Sequence, residues 1–281
     1  MAQGVIHLRF TREPRAGDLI RGDIRIPEGP PPRAAVLVVH GFKGFKDWGF
    51  FPWVAEALAR AGYAVVSFNF SRNGVGAEPD RFTELDRFAA NTLSLEQEEL
   101  QGLVAEALDG DLLPGGRPLR LGLLGHSRGG GQAILAAAAE PRVGALVTWA
   151  SVSHFDRWTE ETKAEWRADG RVWVLNQRTG EDMPVDVTLL EDFEAGREHL
   201  DLPAMAARIR APWLILHGSE DMTVWPGEAQ NLARANATAR MQTIQGAGHT
   251  FGATHPFAGP TLQLEQAMDV TVAHLHRHLE P

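Results

Sequence analysis

Cysteine is absent from the 281-residue chain. That excludes disulfides, thiolate metal sites and a cysteine nucleophile, and it suits a reducing compartment. No block of basic residues occurs and the formal net charge is −9, a balance that argues against a nucleic-acid surface. No apolar run approaches the ~20 residues needed to span a bilayer. The stretch Met1–Phe10 alternates polar and apolar residues and lacks the continuous apolar centre of a signal peptide. A cytoplasmic protein with no membrane partner is the expectation. Lysine stands only at positions 43, 46 and 163, an arginine bias that reads as coding preference before heat adaptation. Also missing are an HExxH pair, a glycine-rich phosphate loop running into a lysine, and carboxylates spaced as in a calcium loop. Neither a metal nor a cofactor is expected.

What remains is an ordinary globular composition, 44% apolar and 22% charged, long enough for one large α/β unit with an insertion. Val5–Phe10 and Asp18–Ile26 alternate like half-buried strands. Continuous apolar runs follow at Ala34–Val39, Tyr63–Phe70, Leu119–Leu124, Val143–Ala150 and Pro212–His217, with Arg240–Ile244 as a last strand. Between them, helical spacing appears over Phe51–Ala61, Leu95–Leu108 (acidic residues on its outer face), Gln132–Glu140, Gly227–Asn236 and Leu262–Leu279. Buried strands alternating with helices predict a doubly wound, mostly parallel sheet. The rhythm breaks between 151 and 208. This charged stretch carries Trp158, Trp166 and Trp173, and Val172–Asn176 and Met183–Thr188 flank a Gln-Arg-Thr-Gly-Glu-Asp turn as in a small hairpin. The expected organisation is a core of 1–150 and 209–281 with a helix-and-hairpin cap over 151–208.

The chemistry centres on Gly125-His126-Ser127-Arg128-Gly129, set between an apolar run and an alanine-rich segment. Gly-x-Ser-x-Gly between strand and helix is a turn that lifts a serine hydroxyl above the sheet. Serine needs a base, and the base needs a carboxylate to fix its tautomer. His249, in the glycine-flanked loop after the last strand, is the candidate base; His274, His276 and His278 lie in the closing helix and read as solvated or packed. Asp221 follows the Pro212–His217 run and is the candidate acid, with adjacent Glu220 as the alternative. The order Ser127, Asp221, His249 is that of the serine hydrolases that carry this elbow. The backbone N–H groups of Arg128 and of Phe42, in the loop His40-Gly41-Phe42 after the first buried strand, would stabilise an oxyanion. His40 itself reads as a residue that fixes the turn.

These motifs, in this order along essentially the whole chain, resemble the α/β-hydrolases. Within them the chain resembles the carboxylesterases related to dienelactone hydrolases and to cinnamoyl or feruloyl esterases. Dienelactone hydrolases depart in using cysteine, and the dehalogenases and epoxide hydrolases in using aspartate at the elbow. The resemblance implies cleavage of small to medium carboxylic esters, aromatic ones included, through an acyl-enzyme on Ser127, with a small-molecule substrate and a monomer or homodimer. Candidate pocket residues are Lys43, Phe45, Trp48 and His126 around the elbow, with Trp158 and Trp173 from the cap, although a mini-core is the commoner use of tryptophans in a small insertion. Acidic residues of the cap, Glu181 to Asp192, read as a solvated face, with a cationic substrate group as the alternative. A peptidase or acylaminoacyl hydrolase related to the prolyl oligopeptidases is the competing enzymatic reading. A non-catalytic receptor on the same fold is the third.

Overall fold

The computed structural model describes residues 4–177 and 179–279. Arg178 in the expected hairpin turn and the first three residues of the Met1–Phe10 stretch lie outside the described residues. In chain order the elements are β1 (Val5–Arg15), β2 (Asp18–Pro27), β3 (Ala34–Val39), α1 (Phe51–Arg60), β4 (Ala64–Asn69), α2 (Leu85–Ala89) and α3 (Leu93–Asp109). Then come β5 (Arg120–His126), α4 (Arg128–Ala139), β6 (Val143–Trp149), α5 (Glu160–Asp169), β7 (Arg171–Asn176), β8 (Glu181–Asp186), α6 (Thr188–Ala195) and α7 (Leu202–Ala206). The chain closes with β9 (Trp213–Gly218), α8 (Gly227–Ala235), β10 (Arg240–Ile244) and α9 (Leu262–Leu279).

Eight strands form one sheet in the order β1-β2-β4-β3-β5-β6-β9-β10. Only β1 and β2 run antiparallel to their neighbours; from β4 to β10 every pairing is parallel. The continuous apolar runs are explained by burial on both faces. In β3, Ala35, Leu37 and Val39 join the cluster beneath α3, α4 and α8, while Ala34, Val36 and Val38 join the one beneath α1 and α9. The strand order reverses at β3: the chain goes next to β4 on one side and later to β5 on the other. The carboxyl ends of β3 and β5 thus form the switch point at which open α/β sheets gather ligands.

Several boundaries differ from the sequence expectation. β1 continues past Phe10 to Arg15, because Gly17 at φ 83° turns the chain directly into β2. α3 begins at Leu93, where Thr92 caps it by accepting the Leu95 N–H. α4 begins at Arg128, immediately after the elbow. The second hairpin strand is Glu181–Asp186 rather than Met183–Thr188: Gly180 at φ 74° completes the reversal, and Thr188 already belongs to α6. α2 was not expected. The acidic face of α3 is also corrected: Glu96 and Glu99 are buried. They share a face with Leu93, Leu100 and Leu103, at spacings of three and four residues.

Between β6 and β9 the chain forms α5, the separate hairpin β7–β8, α6 and α7. Trp166 is fully buried there and donates its Nε1–H to Val185 O at 2.9 Å. Trp158 packs edge-on against Trp166 (centroids 5.1 Å) and Phe193 (6.3 Å). Among the described residues no helix is long and apolar enough to cross a membrane.

Candidate active site

Ser127 sits between β5 and α4 at φ 57°, ψ −126°, a backbone conformation that a side-chain-bearing residue adopts only when its surroundings hold it. Its N–H donates to Trp149 O (3.0 Å) and its carbonyl accepts from Gly130 N–H (2.9 Å). The flanking glycines are needed because strand, helix and β3 pass at backbone contact. A methyl group on Gly125 would lie 2.4 Å from Gly129 O, and one on Gly129 2.3 Å from His40 O. The same closeness brings the loop after β3 onto the serine: a methyl on Gly41 would stand 2.9 Å from Ser127 Cβ.

Two further loops converge on this point. His249, five residues past Ile244 at the end of β10, places Nε2 3.0 Å from Ser127 Oγ and Nδ1 2.8 Å from Asp221 Oδ2. A carboxylate facing Nδ1 fixes the proton there, which leaves the Nε2 lone pair toward the hydroxyl. Asp221, at the carboxyl end of β9, is buried; its Oδ1 accepts the N–H groups of Thr223 and Val224, each at 2.9 Å. Burial alone would raise this carboxyl. The hydrogen bonds from His217 and His249, the charge of His249 and the Val224 N–H outweigh it and hold the group well below the usual carboxylate range. Glu220, the alternative acid, is exposed.

Of the other residues singled out in the sequence, His126 is brought in as a support: its Nε2–H donates to His249 O at 2.9 Å and its ring packs 4.8 Å from that of His249. Arg128 directly follows Ser127, and its guanidinium lies 4.3 Å above the ring of Phe42, the residue after Gly41. Lys43 reaches across to the hairpin and donates to Leu175 O at 2.9 Å. Trp48 and Phe45 are not brought to the serine. Both are buried, Trp48 edge-on to Phe50 and stacked on His255, and Phe45 between Phe82 and His255. Trp158 packs with Trp166 and Phe193 against the apolar cluster that continues under α3 and α4, and Trp173 is 60% exposed on the hairpin. His40 fixes its turn as read: Nδ1–H donates to Gly41 O (2.9 Å) and Nε2 accepts Phe70 N–H (3.3 Å). Burial, helped by the Arg128 charge and opposed by the Gly41 bond, pushes it down to about 4, so the ring is neutral.

Two residues escaped sequence reasoning. His217 is fully buried with Nε2 2.8 Å from Val224 O and 3.3 Å from Asp221 Oδ2, the same carboxylate oxygen that faces His249 Nδ1. A histidine within an apolar strand carries no sequence signal of that contact. Glu96 receives Arg128 Nη2, Asn91 Nδ2 (2.7 Å) and Gln132 Nε2 (3.1 Å) beneath the elbow. Its helical register with Leu93 and Leu100 could have revealed it. Among the described residues no group of three or more His, Cys, Asp or Glu is placed to hold a metal ion.

A nucleophile elbow at the switch point of a mostly parallel sheet, with a histidine and a carboxylate in hydrogen-bonded series, defines a hydrolase architecture. The sequence model of the Alpha/beta hydrolase family matches residues 36–259. The chain belongs to that family. Among curated proteins it is 27% identical over 206 residues to 2,6-dihydropseudooxynicotine hydrolase of Paenarthrobacter nicotinovorans, covering 70% of this chain and 47% of that one. The chain spans about half the length of the curated relatives it matches. Among solved structures, Est1E of Butyrivibrio proteoclasticus with ferulic acid bound superposes with a TM-score of 0.71 at 16% identity, covering 94% of this chain and 96% of that one. Dienelactone hydrolase of Anabaena variabilis gives 0.63 at 18% identity, with full coverage of both chains. At these identities the likeness establishes the fold.

Proposed function

We propose that the protein is a serine hydrolase that cleaves carboxylic esters of small to medium acids, aromatic acids among them, through an acyl-enzyme on Ser127. The observation that carries this reading is the unbroken series Ser127 Oγ, His249 Nε2, His249 Nδ1, Asp221 Oδ2, with links of 3.0 and 2.8 Å. Ser127 Oγ bonds to the ester carbonyl carbon as its proton passes to His249 Nε2. The carbonyl electron pair moves onto oxygen, where the N–H groups of Phe42 and Arg128 receive it. Collapse expels the alcohol, which takes the proton from His249; water, deprotonated by the same ring, then releases the acid. Asp221 stays ionised throughout and offsets the imidazolium charge. Est1E, a structural neighbour solved with ferulic acid, supports the inclusion of aromatic acids. The insertion serves as a cap in this reading, and the Lys43–Leu175 bond tethers it beside the oxyanion loop.

Hydrolysis of p-nitrophenyl acetate and butyrate by wild type and Ser127→Ala tests the proposal, with aminoacyl-naphthylamides as the amide control. The variant is expected to lose on the order of 10⁴-fold or more in kcat. Equal rates would refute the ester reading, and a preference for the naphthylamides would make the enzyme a peptidase.

A further inference from the structure

The two backbone donors assigned to the oxyanion come from different parts of the chain, the loop after β3 and the first residue of α4, so something must fix the gap between them. Their side chains meet. The Arg128 guanidinium lies over the Phe42 ring at 4.3 Å. Each is held from behind: the Phe42 ring stacks on Phe88 of α2 (centroids 5.4 Å), and Arg128 pairs with buried Glu96 of α3. Glu96 is itself pinned by Asn91 and Gln132, and Gln132 also donates to Leu93 O at 3.1 Å. On the far side of the loop, His40 ties Gly41 O to the Phe70 N–H of the β4 end.

From this arrangement we infer that Arg128 and Phe42 form a side-chain clamp that sets the spacing of the two oxyanion N–H groups, with Glu96 as its anchor. This rests on the reading of Ser127 as the nucleophile. Arg128, Phe42 and Glu96 act here as positioning residues through their side chains, whereas the charge itself is met by backbone. A guanidinium over an aromatic face is attracted by the ring quadrupole, and a planar cation can stack and pair with a carboxylate at once; lysine cannot do both in one geometry. Because the donors must match an oxygen position reached only as charge develops, loosening the clamp should lower kcat and leave KM nearly unchanged.

The test compares wild type with Arg128→Met/Glu96→Gln, a pair that leaves no unpaired buried carboxylate, and with Phe42→Leu and the triple variant. Two readouts are used: kcat and KM for p-nitrophenyl butyrate, and Ki for an alkyl trifluoromethyl ketone. The ketone adds Ser127 Oγ at its carbonyl carbon, sends the serine proton to His249 and leaves its oxygen as an anion in the same donors. The expected result is a fall in kcat of about 10- to 100-fold, with Ki for the ketone rising in step. The triple variant should be little worse than either arm, since both break one contact. Unchanged kcat, a fall in kcat with unchanged ketone Ki, or multiplicative losses in the triple variant would overturn the clamp. Should the Arg128 variant fail to fold, Phe42→Leu and Arg128→Lys carry the same comparison. A wild type that neither hydrolyses the ester nor binds the ketone would instead overturn the nucleophile assignment.

Discussion

The loops at the carboxyl ends of β3, β5, β9 and β10 and the segment inserted between β6 and β9 are held by different forces. In the loops and in the helices α3 and α4 behind them, buried polar groups answer one another: Asp221 gathers His249, His217 and two backbone N–H groups, and Glu96 gathers Arg128, Asn91 and Gln132. The insertion is held by apolar area around Trp158, Trp166 and Phe193, and its hairpin turns Trp173 and Leu175 to solvent. Directional bonds tolerate little displacement, whereas apolar packing tolerates exchange of shape at constant volume. Substitutions at the loops should therefore cost rate before stability, and those in the insertion stability before rate.

The sharpest break of that comparison is Asp221→Asn. It preserves shape but offers His249 the wrong tautomer, and kcat per folded molecule for p-nitrophenyl butyrate should fall by about 10⁴-fold. A collapse in stability with residual kcat preserved would reverse the roles of the two regions.

Next is Trp166→Ala in the insertion. It removes a fully buried indole and its bond to Val185 O, at an expected cost of about 3–5 kcal/mol in urea unfolding. The rate per folded molecule toward p-nitrophenyl acetate should stay close to wild type.

The difference in forces should also appear in pH dependence. Burial raises the Glu99 carboxyl from 4.5 to about 7, against the Ser71 hydrogen bonds that lower it and with Glu96 and Asp18 adding to the rise. The folded state thus keeps a proton that the unfolded chain releases between those values. Stability contributed at this group is full below pH 4.5 and declines as pH rises toward 7, by about 3 kcal/mol at most. Glu99→Gln should flatten that part of the urea-midpoint profile; an unchanged slope would remove Glu99 as its source.

The smallest effect is expected from Trp173→Ala. With its side chain largely in solvent, stability should change by no more than ~0.5 kcal/mol. A larger loss would mean that the outer face of the hairpin is packed rather than exposed.

How much of this was legible in the sequence follows the same division. The parallel core was readable because strands buried on both faces must be continuously apolar, as Ala34–Val39 and Trp213–Gly218 are. Ser127 and Asp221 were readable because each follows such a strand, and His249 because it lies in a glycine-flanked loop after the last, edge strand; strand ends are where the fold places side chains of that kind. Glu96 and His217 were not read as part of the site. A buried carboxylate on an acidic helix looks like a solvated one until its register against the leucines is counted, and a histidine ending a strand says nothing of the carboxylate it will face. Trp48 was misplaced for a related reason. Its nearness in sequence to Phe42 suggested the pocket, but the loop turns it back onto Phe50 and His255. The hairpin boundaries slipped because its pairing is set by Gly180, not by an apolar pattern.

Whether the geometry at the sheet end makes Ser127 a nucleophile is read out by intact-protein and peptide mass spectrometry after exposure to a fluorophosphonate probe. One adduct per chain is expected, located on Ser127, abolished in Ser127→Ala and strongly slowed in His249→Ala. An unmodified wild type, or an adduct on another residue, would contradict it.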